Sequence, residues 1–376
     1  MLKFLKALSI LLGTIIGAGV FGLPYVMGKS GFIPGSFYFL ILGGAVLLIH
    51  LLFGEVILRT KEPCRLPGLA QKYLGEKGKI FVMIPVVVGI IGALLAYLIL
   101  GGEFLKILFG SFNLSSTYLT LIFGVILSYF VFRGVKLIAS LELLTNIIFF
   151  LAIFLILVFC LPQFNFSNIG AFSVPHIFLP FGVILFSLIG WSAIPEIVDF
   201  LKLPQNKKQL KKVIVFGTLI IIPFYLAFVF IILGVVGENI SSDTLSSLLP
   251  FLGTKIMFFG ALAGLLTLAD SFLVLALYLK NTFIYDLRIP QNLAGFFACG
   301  LPIILFLIGF RSFISVLGFV GTIVGVIEGM VIILIFKKAK KLGNRQPEYS
   351  LSVPSPLLYL LMAILVFGAL SQFINR

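Results

Sequence analysis

The sequence predicts an all-α polytopic membrane protein with eleven transmembrane helices, the first and sixth of them broken. Three observations carry this. Of the 376 residues, 61% are hydrophobic and only 11% charged, whereas a soluble chain is near one quarter charged. The apolar residues gather into repeated runs of about 20, the length that crosses a bilayer as helix. These runs are too long, and alternate too little, for barrel strands. Two of them carry glycine and proline at their centres.

The first span, about 8–27, contains GTIIGAGVFGLP with Gly13, Gly17, Gly19, Gly22 and Pro24. Glycine weakens a helix interior, and proline removes a donor and clashes with the preceding turn. This span is therefore expected to be interrupted. Its basic start is like that of a signal peptide, but YVMGKSGF and more apolar sequence follow it. Without a polar spacer and a small-residue cleavage site it is expected to be retained. Spans two to five are expected at 34–57, 81–108, 116–133 and 139–161. The loop TKEPCRLPGLAQKYLGEKGK has room for a short amphipathic helix. The sixth span, about 177–199, holds Gly190 with Pro195 five residues on, and its centre SLIGWSA is small and polar. The remaining spans are expected at 211–236, 252–279, 291–309, 313–337 and 354–373, with GFRS at 309–312 separating the ninth from the tenth.

Charge placement gives the orientation. With the N-terminus inside, the inside segments take all but five of the 27 Lys and Arg residues. Lys29, Lys106, Lys255, Arg311 and Arg376 are left outside. Basic residues favour the inner side, and a missed span would scramble the later loops. The C-terminus is then expected outside. The net charge of +14 belongs to loops such as KLPQNKKQLKK and KKAKKLGNR, which face anionic headgroups and need no nucleic acid. Cys64, Cys160 and Cys299 are scattered, a spacing that suggests neither a metal site nor a disulfide framework. No loop is long enough for a soluble catalytic domain, so neither an enzyme nor a cofactor is expected.

The two interrupted spans are five apart. Five is odd, so the second copy crosses in the opposite sense. Paired interruptions in opposed repeats point to a secondary transporter with its site at the repeat interface. The chain is expected to be one transporter domain over 1–376. Repeat one covers about 8–161, repeat two about 177–337, and an extra span about 354–373. A break exposes backbone groups at mid-depth, which is costly in hydrocarbon and useful beside a charged ligand. Freed amides at a half-helix start can hold a carboxylate. Freed carbonyls can hold an ammonium or a small cation. A zwitterion about the size of an amino acid matches this polarity. For one segment alone the alternative is close helix packing, which Gly13 with Gly17 fit, and Gly318 with Gly321 and Gly325 more loosely.

Among polar residues at membrane depth, Asp270 lies near the middle of the eighth span. A lone carboxylate there is a functional site by default. Low dielectric favours its neutral form, so it can carry a proton, and it can equally ligate sodium. Glu196 and Asp199 end the sixth span near Lys202 and are expected as a solvated helix end, with an inner gate as the alternative. Glu55 and Glu142 take the same solvated reading. Glu328 is deeper, on the tenth span, and can pair across the bundle. His50 and His176 are lone histidines. Trp191 is the only tryptophan and sits in the break, where it is expected as a lid or pocket wall.

GTIIGAGVFGLPYVMGKSGF, residues 13–32, resembles the opening of amino acid permeases. The likeness is to the hydroxy- and aromatic-amino-acid permease group and the wider amino acid/auxin permease family, within the amino acid–polyamine–organocation superfamily. The resemblance implies a five-plus-five inverted repeat, alternating access, and uptake driven by protons or sodium. It implies that Gly17, Ala18 and Gly19 meet the substrate carboxylate. Ser187 through Trp191, Gly190 included, would meet the amino group and bound the side-chain pocket, and Tyr97 would close the site. The implied ion positions are the carbonyls of Gly13 and Ile16, with Thr267, Asp270 and Ser271 on the eighth span. Many relatives carry a small hydroxyl residue where this chain has Asp270, which favours proton over sodium.

The expected function is secondary active uptake of a neutral L-amino acid by cation symport, with aromatic or other large apolar side chains somewhat favoured. The expected setting is the cell membrane, the inner one in a bacterium, as a monomer or weak homo-oligomer in the lipid bilayer. An uncoupled exchanger is one alternative. An ion channel is another, and would want a continuous polar pore lining. A membrane enzyme would want clustered His, Asp or Cys.

Overall fold

In lipid a helix satisfies its own backbone, so apolar runs of this length become helices. The computed structural model describes residues 2–112, 114–133, 138–170, 172–201, 204–285 and 287–374. Among them nine helices are long and apolar enough to cross a membrane, and a pair bent by 52° makes ten. That pair is α1 (Leu2–Ile15) and α2 (Gly19–Ser30). There follow α3 (Phe32–Leu58), a short α4 (Leu66–Leu74), α5 (Glu76–Leu108), α6 (Ser116–Arg133) and α7 (Ile138–Cys160). The sixth span is split into α8 (Pro180–Leu188) and α9 (Ala193–Leu201). After the one-turn α10 (Pro204–Lys207) come α11 (Leu210–Val236), α12 (Leu245–Tyr285) and α13 (Gln291–Leu307). The tenth expected span is α14 (Phe313–Phe319), a π-helical turn (Val320–Gly325) and α15 (Val326–Leu342), and α16 (Ser355–Ile374) is last.

The breaks, and the helix expected in the loop after α3, are where the sequence put them. Two spans take another form. The expected ninth span is only the 17 residues of α13, shorter than the other spans, because the chain turns at Gly309 with φ 116°. The expected eighth span began at 252, but α12 starts at Leu245 and is bent at Gly253, whose φ is 74°. The segment before that bend is a separate short helix. Ahead of it Thr244 is buried, and its hydroxyl donates to the Phe21 carbonyl at 2.5 Å, docking this loop on α2.

The sixth span is 78% buried in its apolar window, against 28% for the fifth and for the last. The broken span is therefore the centre of the bundle, while α7 and α16 give one face to lipid. Small residues allow the closest contact. A Cβ on Gly321 would stand 2.9 Å from the Phe186 nitrogen, and one on Gly182 2.9 Å from the Gly318 Cα. The π turn thus lies backbone to backbone on α8, as small-residue packing in membranes allows.

The end of the bundle that carries the basic loops corrects one expectation. Glu55 is not a solvated helix end but fully buried. Its Oε1 lies 2.7 Å from Arg59 Nε and 2.8 Å from Lys340 Nζ, and its Oε2 accepts the Leu351 amide at 2.6 Å. Two cations offset the cost of burying that charge. Beside it Tyr349 donates to the Leu51 carbonyl at 2.7 Å. Burial first, and the Glu55 carboxylate second, push that phenol well above its usual value, so it stays a donor. Glu196 and Asp199 meet Arg65, at 2.6 and 3.2 Å. Lys202, expected to reach them, lies outside the described residues, as do Lys136, Arg376 and the Glu142 side chain.

Candidate functional site

The two breaks lie against each other. α1 ends at Ile15, Ile16 to Ala18 lie outside both helices, and α2 starts at Gly19. The first amides of α2, at Gly19 and Val20, are groups that a helix leaves without intrahelical partners, at its positive end. The last carbonyls of α1 lie at the opposite, negative end of its dipole. The Ile15 carbonyl accepts the Gly17 amide at 3.1 Å and the Tyr225 hydroxyl of α11 at 3.1 Å. In the sixth span Ile189 to Ser192 separate α8 from α9. Gly19 packs on Ser187, whose Cα would be 3.0 Å from an added Cβ. Gly190 packs on Ile15, whose Cγ1 would be 2.5 Å from one. Neither break could come so close with larger residues at these positions.

Side chains from other helices close the gap. The Tyr97 hydroxyl of α5 lies 3.2 Å from where a Cβ on Gly17 would stand. Tyr97, expected to close the site, thus stands beside the first break, although no motif surrounds it. Ser187 is buried and donates to the Val183 carbonyl of its own helix at 2.7 Å. The Gly190 amide donates to His50 Nε2 of α3 at 3.1 Å. The Trp191 indole is buried and donates to Glu328 Oε2 of α15 at 2.7 Å. His50 and Trp191 rings meet edge to face at 6.0 Å.

The expected ion positions are joined through α7. Thr145 donates to Asp270 Oδ2 at 3.3 Å. Its neighbour Asn146 packs on Gly13, with its Cγ 3.2 Å from where a Cβ would stand. Ile16 is buried within the first break. Thr267 is buried on α12 and donates to its own Ala263 carbonyl at 3.1 Å, and Ser271 follows Asp270 half-buried on the same helix.

A model of the tryptophan/tyrosine permease family matches residues 1–372. The chain belongs to that family. The permease is 24% identical over 335 residues to glutamine transporter 2 of Aliivibrio fischeri, covering 85% of each chain. It is 27% and 29% identical to tyrosine-specific transport systems 1 and 2 of Haemophilus influenzae. Those two alignments span 53% and 58% of the relatives' lengths, and 57% and 61% of this chain. Its fold is that of MhsT, solved in complex with L-phenylalanine. The TM-score is 0.69 at 18% identity, over 99% of the permease and 98% of MhsT.

Sequence reasoning missed four residues that touch the two breaks, Gly13 or Asp270. Tyr225 and Asn146 stand in apolar helices with no motif around them, and His50 was read as a lone histidine. Thr145 opens TNIIFFLAIFLILVFC, a stretch read only as the apolar fifth span. The polar pair Thr145–Asn146 in an otherwise apolar span was the available signal. Glu328 was expected to pair across the bundle, and its partner is Trp191.

Proposed function

We propose that this permease is a secondary active transporter of neutral L-amino acids, favouring large or aromatic side chains, coupled to a cation. The observation that carries this reading is the contact between the two breaks. It brings the amide end of α2 and the carbonyl end of α1 against the sixth-span break, with Gly17, Gly19, Ser187 and Gly190 at or beside the meeting. A zwitterion needs both polarities within a few ångströms. The α-carboxylate is assigned to the amides around Ala18 and Gly19, as a helix start binds anions, and the ammonium to the freed carbonyls. Tyr97 and Trp191 bound the side chain. The family, the relatives' names and the phenylalanine held by MhsT support this substrate class.

The coupling ion is assigned between Gly13 of α1, Ile16 of the first break, and Thr267, Asp270 and Ser271 of α12, with the proton favoured over sodium. An unpaired charged carboxylate is costly at this depth, while its neutral form is tolerated. Occlusion then becomes conditional on protonation of Asp270. Eleven spans in a five-plus-five inverted repeat, with the N-terminus inside and the C-terminus outside, complete the reading. The carrier sits in the cell membrane as a monomer or weak homo-oligomer.

Uptake and counterflow in liposomes, under a proton or a sodium gradient alone, test it. Asp270→Asn mimics the neutral form. We expect it to keep counterflow and lose accumulation driven by a pH gradient. If that variant still concentrates amino acid on a proton gradient alone, Asp270 is not the coupling site. If wild-type uptake needs sodium at constant pH, the ion is sodium. Counterflow without accumulation under either gradient would mean an uncoupled exchanger.

A further inference from the structure

The sixth-span break is held from two sides by groups the coupling scheme does not use. On one side His50 is fully buried on α3. Its Nε2 accepts the Gly190 amide, so the neutral ring carries its proton on Nδ1, which is buried without a partner among the described residues. On the other side Glu328, mostly buried on α15, accepts the Trp191 indole N–H at 2.7 Å. Trp191 is thus fixed by its ring contact with His50 and by its nitrogen on Glu328. An indole has a single donor, so that one bond sets the angle of the whole ring.

The other ionisable groups around α15 are otherwise engaged. On α3, Glu55 is taken by Arg59 and Lys340. On α4, Lys72 pairs with Glu62, and the Tyr73 hydroxyl is bonded to Thr60 at 2.8 Å. α5 carries charge only at its two ends, with Tyr97 between them against the first break. On α9, Glu196 and Asp199 are held by Arg65. On α16, Tyr359 takes Lys337 at 2.8 Å. The charged residues of α15 beyond Glu328 are the lysines at its end. Among the described residues no cation therefore stands beside Glu328, and its hydrogen-bonded partner is the indole.

We propose that Glu328 is a positioning residue for the side-chain pocket, holding Trp191 across the break more tightly when ionised than when protonated. A carboxylate acceptor makes a shorter and stronger bond than a neutral acid. Gain of a proton on Glu328 loosens the indole and frees the ring to turn about its side-chain torsions. The pocket wall is then set by a second titrating group, on a different helix from Asp270. The inference rests on Trp191 being a wall of the amino acid site.

Because Trp191 is the only tryptophan, the emission of the full chain in liposomes reports this indole alone. In substrate-free protein the emission is expected to shift through one pH transition. The transition should vanish in Glu328→Gln, which keeps an acceptor of the same length, and persist in Asp270→Asn. In uptake assays Glu328→Gln should leave KM for phenylalanine within about twofold of wild type and flatten its pH dependence, because the bond survives without the titration. Glu328→Leu should raise KM about tenfold with kcat little changed, since the bond itself is gone. A transition that survives in Glu328→Gln, its absence from wild type, or unaltered emission and KM in Glu328→Leu would each overturn the proposal. The emission arm needs no substrate. A Glu328-dependent transition in a protein that moves no amino acid would sink the substrate reading and leave the positioning role standing.

Discussion

A methyl group added at Gly17 and one added at Gly19 meet different obstacles. At Gly17 it stands 3.2 Å from the Tyr97 hydroxyl, the far end of a side chain that can shift slightly. Gly17→Ala is expected to fold normally and to bind amino acid about tenfold more weakly, because it crowds the gap by one methyl. Isothermal titration beside a melting curve separates the two effects, and unchanged affinity would remove Gly17 from the site. At Gly19 the added carbon stands 3.0 Å from the Ser187 Cα, which is backbone and cannot swing away. Gly19→Ala is expected to lower stability by about 1–3 kcal/mol, as overpacking does, so its Tm should fall clearly below that of Gly17→Ala. Gly17, Gly19 and Gly190 were legible in the sequence because glycine at the centre of an apolar run is costly without a reason. Tyr225 was not, since a tyrosine in FYLAFVF looks like any lipid-facing aromatic until it is seen to donate to Ile15.

The element whose behaviour follows most directly from its contacts is α9. Nine residues long, it is tied to the segment ahead of α4 by Arg65 through Glu196 and Asp199, which are about half exposed. Exposed pairs contribute about 0–1 kcal/mol to stability. Arg65→Ala is therefore expected to leave Tm nearly unchanged and to raise amide hydrogen exchange across 193–201, since the clamp steadies one half-helix rather than the fold. Equal exchange in variant and wild type would make Arg65 ornamental. The bend in α12 is a different kind of element property. A Cβ on Gly253 would have open space, but its φ of 74° suits glycine alone. Gly253→Ala is expected to cost about 1–3 kcal/mol from backbone strain with no clash, measured as a loss of Tm. Pro250 three residues earlier was visible in the sequence, yet the bend itself depends on how the loop docks through Thr244 on α2.

For the whole molecule, the orientation rests on the basic loops, and cysteine labelling tests it. Cys64, the half-buried native cysteine, is replaced first, since Cys160 and Cys299 are buried. An impermeant thiol reagent should then reach Ser115→Cys from outside, and Asn206→Cys and Gln346→Cys from inside. Gln346 is preferable to Asn344, whose side chain accepts the Lys61 amide at 2.9 Å and donates to Glu62 at 3.0 Å. Labelling of Gln346→Cys from outside would invert the assignment or change the span count around α13.

The sequence by itself determined the helical class, the order of the apolar runs, the two breaks and the side on which basic charge collects. Each of these is local or additive along the chain. It also put Asp270, Glu328 and Trp191 at membrane depth, because polar groups there are rare. Only the tertiary structure decided what faces what. It set His50 and Glu328 on the sixth break, Tyr225 and Tyr97 on the first, Asn146 on Gly13, and Glu55 between two cations. The physical reason is the solvent. Lipid is as apolar as the protein core, so a membrane helix is hydrophobic all round and its periodicity does not mark the face turned inward. Which side chain meets a break is then fixed by shape, small residues and single hydrogen bonds, and those exist only once the helices have packed.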